Sequence, residues 1–419
     1  MFDINKIRND FPMIKNNPDL IYLDSSATSF KPECVINRVK HYYEFDNCNI
    51  HRGDYDLSAR VSKQFDDVRK TVKDFINCKL DSEIVFTSGD SESLNTIAFG
   101  YGLKHLTKDD VILTTKLEHA SSILPWFKVS EKVGCKIEYI ELNEDGTFNL
   151  DLYSKAFINK NVKIVCLTHV SNVLGYINPI KEIVEIAHKN GAIVIVDGAQ
   201  SVPHMKVDVT DLDCDFLTFS SHKMLGPAGV GVLYGKYDLL KQMDPLKYGG
   251  GANARFDDKQ NLLLSDIPYR FEAGTFNIEG VLGLDEAIKY LNFVGIDNIF
   301  NHDNELVKYF IDKLSKLDNV EIYNPNPDLG IVSFNLKGIF AQDAASYFNS
   351  QHIAVRTGNH CAKILHNIIK VDETIRASLY LYNTKEEIDR FIDVIKETTL
   401  EKCVDAVLWW IKNLKEKYY

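Results

Sequence analysis

The sequence predicts an α/β fold: a large domain with a mostly parallel sheet flanked by helices, and a smaller α+β C-terminal domain. Three observations carry that expectation. Seven short apolar runs alternate with helix-like segments between about residue 80 and residue 235. The runs are nearly continuous in β-branched and aromatic residues, as in strands covered on both faces. Past about residue 295 the pattern changes to longer helical segments that flank short strands.

In chain order the expected strands are EIVFTSG, DVILTTK, KIEYIEL, VKIVCLTH, AIVIVDGA, DFLTFSS and GVGVLYG. Most end in Gly, Ser, Thr or His, and ligands of parallel sheets bind beyond the carboxyl ends of the strands. Polar residues collect at those ends: Thr87 to Ser91, His119, His169 to Asn172, Asp197 to Gln200 and Ser220 to Lys223. GLDEAIKYLNFVG, NELVKYFIDKLSKL and KEEIDRFIDVIKETTL have helical periodicity around strands such as GIVSFNL. The expected domains are therefore residues 20–294, and residues 1–19 with 295–419. The tail KCVDAVLWWIKNLKEKYY is expected to pack as a helix, with its terminal charge run NLKEKYY solvated.

The chain has 419 residues, 45% hydrophobic and 26% charged, with a net charge of −11 and no long basic run. This argues against nucleic acid and against an anionic membrane as partner, since phosphate contacts need clustered Lys and Arg. No apolar run approaches the length that spans a bilayer, and MFDINKIRNDFPMIK has the character of neither a signal nor a transit peptide. The eight cysteines are scattered without a CxxC pair, as expected for reduced thiols in a cytoplasmic protein.

Lys223 is the most unusual residue, embedded between a strand and the apolar run GPAGVGVLYG. A lone lysine there could snorkel from a strand end; desolvated, it becomes a nucleophile toward carbonyls. Asp197 ends AIVIVD, where it could cap a turn or pair with a protonated ring nitrogen, and Gln200 could bond another ring substituent. His119 in KLEHASSILPW could bond backbone, stack on a planar cofactor or move protons. FTSGDSESLNTIAFG has the form strand, Gly-containing turn, helix, which aims backbone N–H groups and hydroxyls at an anion. Cys361 in VRTGNHCAKIL sits in a polar loop beside His360, unlike cysteines such as Cys166 that look buried, and a thiolate there would be reactive. Arg376, fifteen positions later in TIRASLYLYN, offers the paired hydrogen bonds that grip a carboxylate.

Together D-G-A-Q, S-x-H-K, R-T-G-x-H-C-A and R-A-S-L-x-x-Y-N resemble the class V, fold-type I enzymes that use pyridoxal 5′-phosphate. More narrowly, the pattern resembles the SUF-type group of cysteine desulfurases. YLDSSATSFKP, NIHRGDYDLSAR, THVSNVLG and YRFEAGTFN extend the likeness, which runs in order from about residue 7 to residue 398. The resemblance implies that Lys223 holds the cofactor covalently and shuttles protons. It further implies that Asp197 pairs with the pyridine nitrogen, that His119 stacks on the ring, and that Gln200 and Asn172 contact the ring oxygen. Ser91, Ser220 and His222 would bind the phosphate with Thr275 of a neighbouring subunit in a homodimer. Arg376 and Asn172 would hold the carboxylate of L-cysteine. Cys361 would take its sulfur as a persulfide, releasing alanine and supplying iron–sulfur cluster assembly through an acceptor protein of the SUF system.

The sequence departs from the family pattern at the phosphate turn, after His119, and in the tail KCVDAVLWWIKNLKEKYY, which extends past the usual end. The phosphate turn reads G-D-S-E, so Asp90 puts a carboxylate near a phosphate and is expected to turn aside and cap the helix. Ala120 replaces a second histidine after His119. Gln342 stands where a histidine marks members served by a zinc-containing acceptor. The rival readings are a selenocysteine lyase or another class V lyase or transaminase, a non-enzymatic metal-binding protein using His352, His360, Cys361 and His366, and an inactive scaffold.

Overall fold

The computed structural model describes residues 3–51, 53–251 and 255–418. Arg52 of NIHRGDYDLSAR and the side chains of the NLKEKYY run, on which sequence expectations fall, lie outside the described residues. The chain divides into two compact units.

The larger unit comprises residues 31–170 and 178–295. All seven expected strands form: β1 (Ile84–Thr87), β2 (Val111–Thr114), β3 (Lys136–Tyr139), β4 (Val162–Thr168), β5 (Ile193–Asp197), β6 (Phe216–Ser220) and β7 (Gly231–Gly235). They pair in the order β1-β7-β6-β5-β4-β2-β3, and β7 alone runs antiparallel to its neighbours. On one face, Val85, Ile112, Ile164, Ile195, Phe216 and Leu233 form a core with Leu94, Ile97 and Trp126 from two helices. Each such side chain contributes about 1.5–3 kcal/mol by leaving water, which is why these runs fold as covered strands. The helix Ala120–Val133 stops at Gly134, whose φ of 86° closes its end in the left-handed region.

The smaller unit comprises residues 1–30, 171–177 and 296–419. Its four-stranded antiparallel sheet has the order β8 (Val320–Ile322), β9 (Ile331–Leu336), β11 (Thr374–Ser378), β10 (Arg356–Gly358). Phe310, Phe334, Phe348 and Phe391 meet over it, with Phe348 and Phe391 edge to face at 5.0 Å. The tail forms a helix, Leu400–Tyr418, that buries Cys403 and Ala406 in this core.

The smaller unit takes two pieces that the sequence placed in the larger domain. Residues 20–30 join it because Ile21–Tyr22 pairs in parallel with Ile353–Ala354, and Asp24 bridges to Ser378. Residues 171–177 join it because Ser333 Oγ donates to the Val173 carbonyl at 2.6 Å and Asn324 Nδ2 to that of Leu174 at 2.9 Å. Among the described residues no helix is long and apolar enough to cross a membrane.

Candidate active site

The chemistry-bearing residues fall into two sets, one on each unit. In the larger unit they stand at the carboxyl ends of the parallel strands. Asp197 ends β5 and is 3% exposed. Its Oδ2 accepts from Ser122 Oγ at 2.5 Å and its Oδ1 from the Ala199 N–H at 3.0 Å, so the carboxylate is fixed in orientation. Gln200 is buried in the turn that follows.

The position of Lys223 follows from the pairing of β6 with β7. Ser220 lies opposite Gly231, and the chain between them turns back tightly through a 3₁₀ turn, Ser221–Lys223. A Cβ at Gly226 would lie 2.1 Å from Ser221 Oγ, so glycine is needed for the turn to close. Lys223 is thereby presented, half-buried, at the end of a central strand. Burial first, then the charges of Lys223 and Lys31, lower the pKa of His222 to about 4. Lys31 donates to the His222 carbonyl at 2.9 Å, and burial lowers its own pKa to about 8.

β1 leads through Gly89 into the helix Asp90–Ile97, the strand, glycine turn and helix read from the sequence. The Asp90 N–H donates to Ser220 Oγ at 2.8 Å, and Ser91 and Ser121 share a hydroxyl hydrogen bond of 2.7 Å. A Cβ on Gly231 would meet Gly89 Cα at 2.5 Å, so β7 carries glycine where the turn crosses it. Asp90 does not cap this helix, contrary to the sequence expectation. Gly89 is the N-cap and receives no side-chain cap, while Glu92 bonds back to the Ser88 N–H at 3.0 Å. Asp90 is instead buried, with Oδ1 lacking a hydrogen-bond partner among the described residues. Burial, then the neighbouring Asp197, raise its pKa, and a neutral carboxyl is far less costly to bury than a charged one, so it can turn inward instead of capping.

His119 caps the helix Ala120–Val133, its Nδ1 accepting the Ser121 N–H at 3.2 Å. A neutral imidazole so engaged carries its proton on Nε2. Next to it Glu118 is buried; Thr115 Oγ1 donates to its Oε1 at 2.6 Å, and burial pushes its carboxyl up to about 8. Thr275 is exposed, in a loop tethered by Glu272, which receives Arg69 Nη1 at 2.7 Å and Nη2 at 2.5 Å.

In the smaller unit the set centres on Cys361, the one exposed residue among the eight cysteines, all of which are described. His360 and Cys361 have φ of 49° and 58°, two consecutive non-glycine residues in the left-handed region. Each costs on the order of 1 kcal/mol. The strain is held by Asn172 Nδ2, which donates to the His360 carbonyl at 2.9 Å, and by Asn359 Oδ1, which accepts the Cys361 N–H at 3.2 Å. The buried His360 ring meets Thr374 Oγ1 at 2.9 Å; burial, then Arg376, lower its pKa to about 2.

Arg376 lies on β11, 3% exposed. It donates to the Asn172 carbonyl at 2.9 Å and pairs with Asp24 at 3.1 Å, while its Nε has no partner among the described residues. Burial lowers the pKa of its guanidinium, partly offset by Asp24. The sequence thus identified Arg376, Asn172 and Cys361, which come together in this unit, and missed Asp24. Lys31, Asp24 and Ser122 lie in or beside quoted motifs, and carried no signal of their own. His360 and His366 both turn to Thr374, and among the described residues no three His, Cys, Asp or Glu side chains gather as metal ligands.

The larger unit's set fits pyridoxal phosphate. An amine on a constrained turn suits an aldehyde, a rigid buried carboxylate suits a protonated ring nitrogen, and hydroxyls at a helix N-terminus suit a phosphate.

The aminotransferase class-V family model matches residues 21–391. A probable cysteine desulfurase of Halalkalibacterium halodurans is 43% identical over 397 residues, covering 94% of this chain and 97% of its own. The apo structure of a cysteine desulfurase from Thermococcus onnurineus NA1 superposes with a TM-score of 0.89 at 38% identity, covering 94% of this chain and 97% of that one. The cysteine desulfurase CsdA (S-sulfonic acid) from Escherichia coli superposes with a TM-score of 0.88 at 31% identity, covering 97% and 99%.

Proposed function

This chain belongs to the aminotransferase class-V family, and on that premise we infer that it is a pyridoxal-phosphate-dependent cysteine desulfurase. One observation supports sulfur chemistry above other reactions of the family: an exposed thiol held in a strained loop beside a buried arginine. A transaminase has no use for such a group.

Lys223 is the residue that holds the cofactor covalently, with Asp197 for its ring nitrogen, His119 for its ring face, Gln200 for its ring substituents, and Ser91, Ser220 and His222 for its phosphate. When bound, the cofactor withdraws electrons from the Cα of an attached amino acid. Arg376 binds the substrate carboxylate through parallel hydrogen bonds, with Asn172 beside it. Lys223 Nζ, when not holding the cofactor, would take the Cα proton. Cys361 Sγ attacks the substrate sulfur; an S–S bond forms as the Cβ–S bond breaks, and the electron pair returns to the carbon skeleton, which is protonated. The sum is L-cysteine plus the Cys361 thiol giving L-alanine plus a Cys361 persulfide. An acceptor protein of the SUF system then takes the terminal sulfur for iron–sulfur cluster assembly. The enzyme works in the cytoplasm as a homodimer, in which the exposed Thr275 serves the partner's phosphate.

The test is alanine release from L-cysteine by the protein and by Cys361→Ala. The variant is expected to keep the yellow bound cofactor and to lose desulfuration; equal activity overturns the assignment of the nucleophile.

A further inference from the structure

Past the carboxyl ends of its strands the larger unit buries three carboxyls: Asp90, Glu118 and Asp197. Asp197 accepts at both oxygens, whereas Glu118 is bonded by Thr115 at Oε1 only and keeps Oε2 without a partner among the described residues. Of the two incompletely bonded carboxyls, Asp90 is the one inside the turn that leads from β1. It is 8% exposed and opens the helix that carries the anion-binding turn, and its Oδ1 accepts no hydrogen bond among the described residues.

The groups around Asp90 leave it short of positive charge. From β5 it meets Asp197, from the turn after β6 Lys223, and from β4 the Cys166 thiol. Glu118 and His119 precede the helix Ala120–Val133, which packs on the Asp90 helix. His222 and Lys31 bond to one another beside Lys223. On its own helix, Glu92 is paired with Lys247 at 2.7 Å. Burial first, then the charge of Asp197, hold the Asp90 carboxyl well above the usual carboxylate range, at about 8, against partial relief from Thr218 and Lys223.

A phosphate brought to this turn adds negative charge to a place that already holds more buried carboxyls than amines. An ionised Asp90 would repel it; a neutral one would not, and can donate its proton as a hydrogen bond. We propose that Asp90 is a proton-gated member of the cofactor site, whose carboxyl must remain protonated for a phosphate ester to be held tightly in the turn. The proposal rests on the pyridoxal phosphate reading above. Below its ionisation the site retains phosphorylated cofactor; above it, affinity falls by a factor approaching ten per pH unit, because binding then requires uptake of one proton. The phosphate itself, with a second pKa near 6, keeps one charge state across that window.

The experiment is calorimetric binding of pyridoxine 5′-phosphate to the full chain freed of cofactor, at pH 7 and pH 9. This probe lacks an aldehyde, so bonding to Lys223 does not enter. The expected result is a loss of roughly tenfold in affinity for the wild type between the two pH values. Asp90→Asn, of the same shape, and Asp90→Thr, a smaller hydroxyl, are both expected to bind with little change. If the wild type shows no fall, or the variants fall in parallel with it, the proposal is overturned. If pyridoxal 5′-phosphate fails to bind the wild type at any pH, the cofactor reading fails and takes this proposal with it.

Discussion

Asn172 binds Arg376 with its backbone and the Cys361 loop with its side chain: its carbonyl accepts Arg376 Nη1 at 2.9 Å, and its Nδ2 donates to the His360 carbonyl at 2.9 Å. One residue thus sets the spacing between the group expected to grip the substrate carboxylate and the thiol expected to take its sulfur. Asn172→Ala removes the side-chain bond and leaves the backbone bond intact. A buried hydrogen bond is worth about 1 kcal/mol, and two left-handed residues depend on this one. The expected outcome is a fall of roughly tenfold or more in kcat, with the cofactor still bound and its visible band kept. Loss of that spectrum would show that Asn172 acts mainly on the cofactor.

Arg376→Lys separates charge from shape. The lysine keeps a cation for Asp24 but cannot bond Asp24, the Asn172 carbonyl and a carboxylate together in one plane. KM for L-cysteine is expected to rise roughly tenfold to a hundredfold, with kcat falling less. Steady-state kinetics check this, and an unchanged KM would remove Arg376 from substrate binding.

The seven strands of the larger sheet were legible because each is apolar along almost its whole length, a pattern that only a doubly covered strand satisfies. Lys223 and Asp197 were legible because they break that pattern at strand ends. Three things were not. Residues 171–177 looked continuous with β4, yet Ser333 and Asn324, some 150 residues away, bind them to the smaller unit. Asp90 had a good local reason to cap its helix, and only tertiary burial shows it facing inward. Asp24 sits in a quoted motif whose use depends on Arg376, far along the chain. Local chemistry reads elements and their ends; partners brought by the fold are invisible to it.

His360 gives a pH dependence of known sign. Its folded pKa, about 2, lies below the ordinary imidazole value of about 6.5, so the unfolded chain binds its proton more readily between those values. Stability contributed by the neutral ring is therefore full above about 6.5 and is lost as pH falls, at up to about 1.4 kcal/mol per unit. His169 and His222, both lowered to about 4, act in the same direction. Comparison with His360→Gln isolates the one residue. The stability gap between wild type and variant at pH 7.5 is expected to shrink at pH 5, measured by denaturant unfolding. A constant gap would mean that His360 does not stay neutral in the folded state.

The loop that presents Thr275 depends on a buried ion pair. Arg69 and Glu272 are joined by two bonds, their side chains are 4% and 5% exposed, and Glu272 also accepts the Phe86 N–H at 2.8 Å. The Arg69 guanidinium lies over the Phe86 ring at 4.6 Å. Replacing the whole pair by apolar groups could be nearly neutral, because desolvating two charges offsets much of their attraction. Removing one partner is different, since the other charge stays buried. Glu272→Gln is therefore expected to destabilise the larger unit by about 3–5 kcal/mol. Arg69→Met with Glu272→Leu is expected to recover much of that loss. If Thr275 serves a partner's phosphate, Glu272→Gln also weakens retention of pyridoxal phosphate on dilution, whereas the double variant regains stability without regaining retention. Calorimetry and cofactor absorbance on the same samples separate the two effects. Recovery of both in the double variant would show that the loop needs only filled volume beneath it, and not the pair.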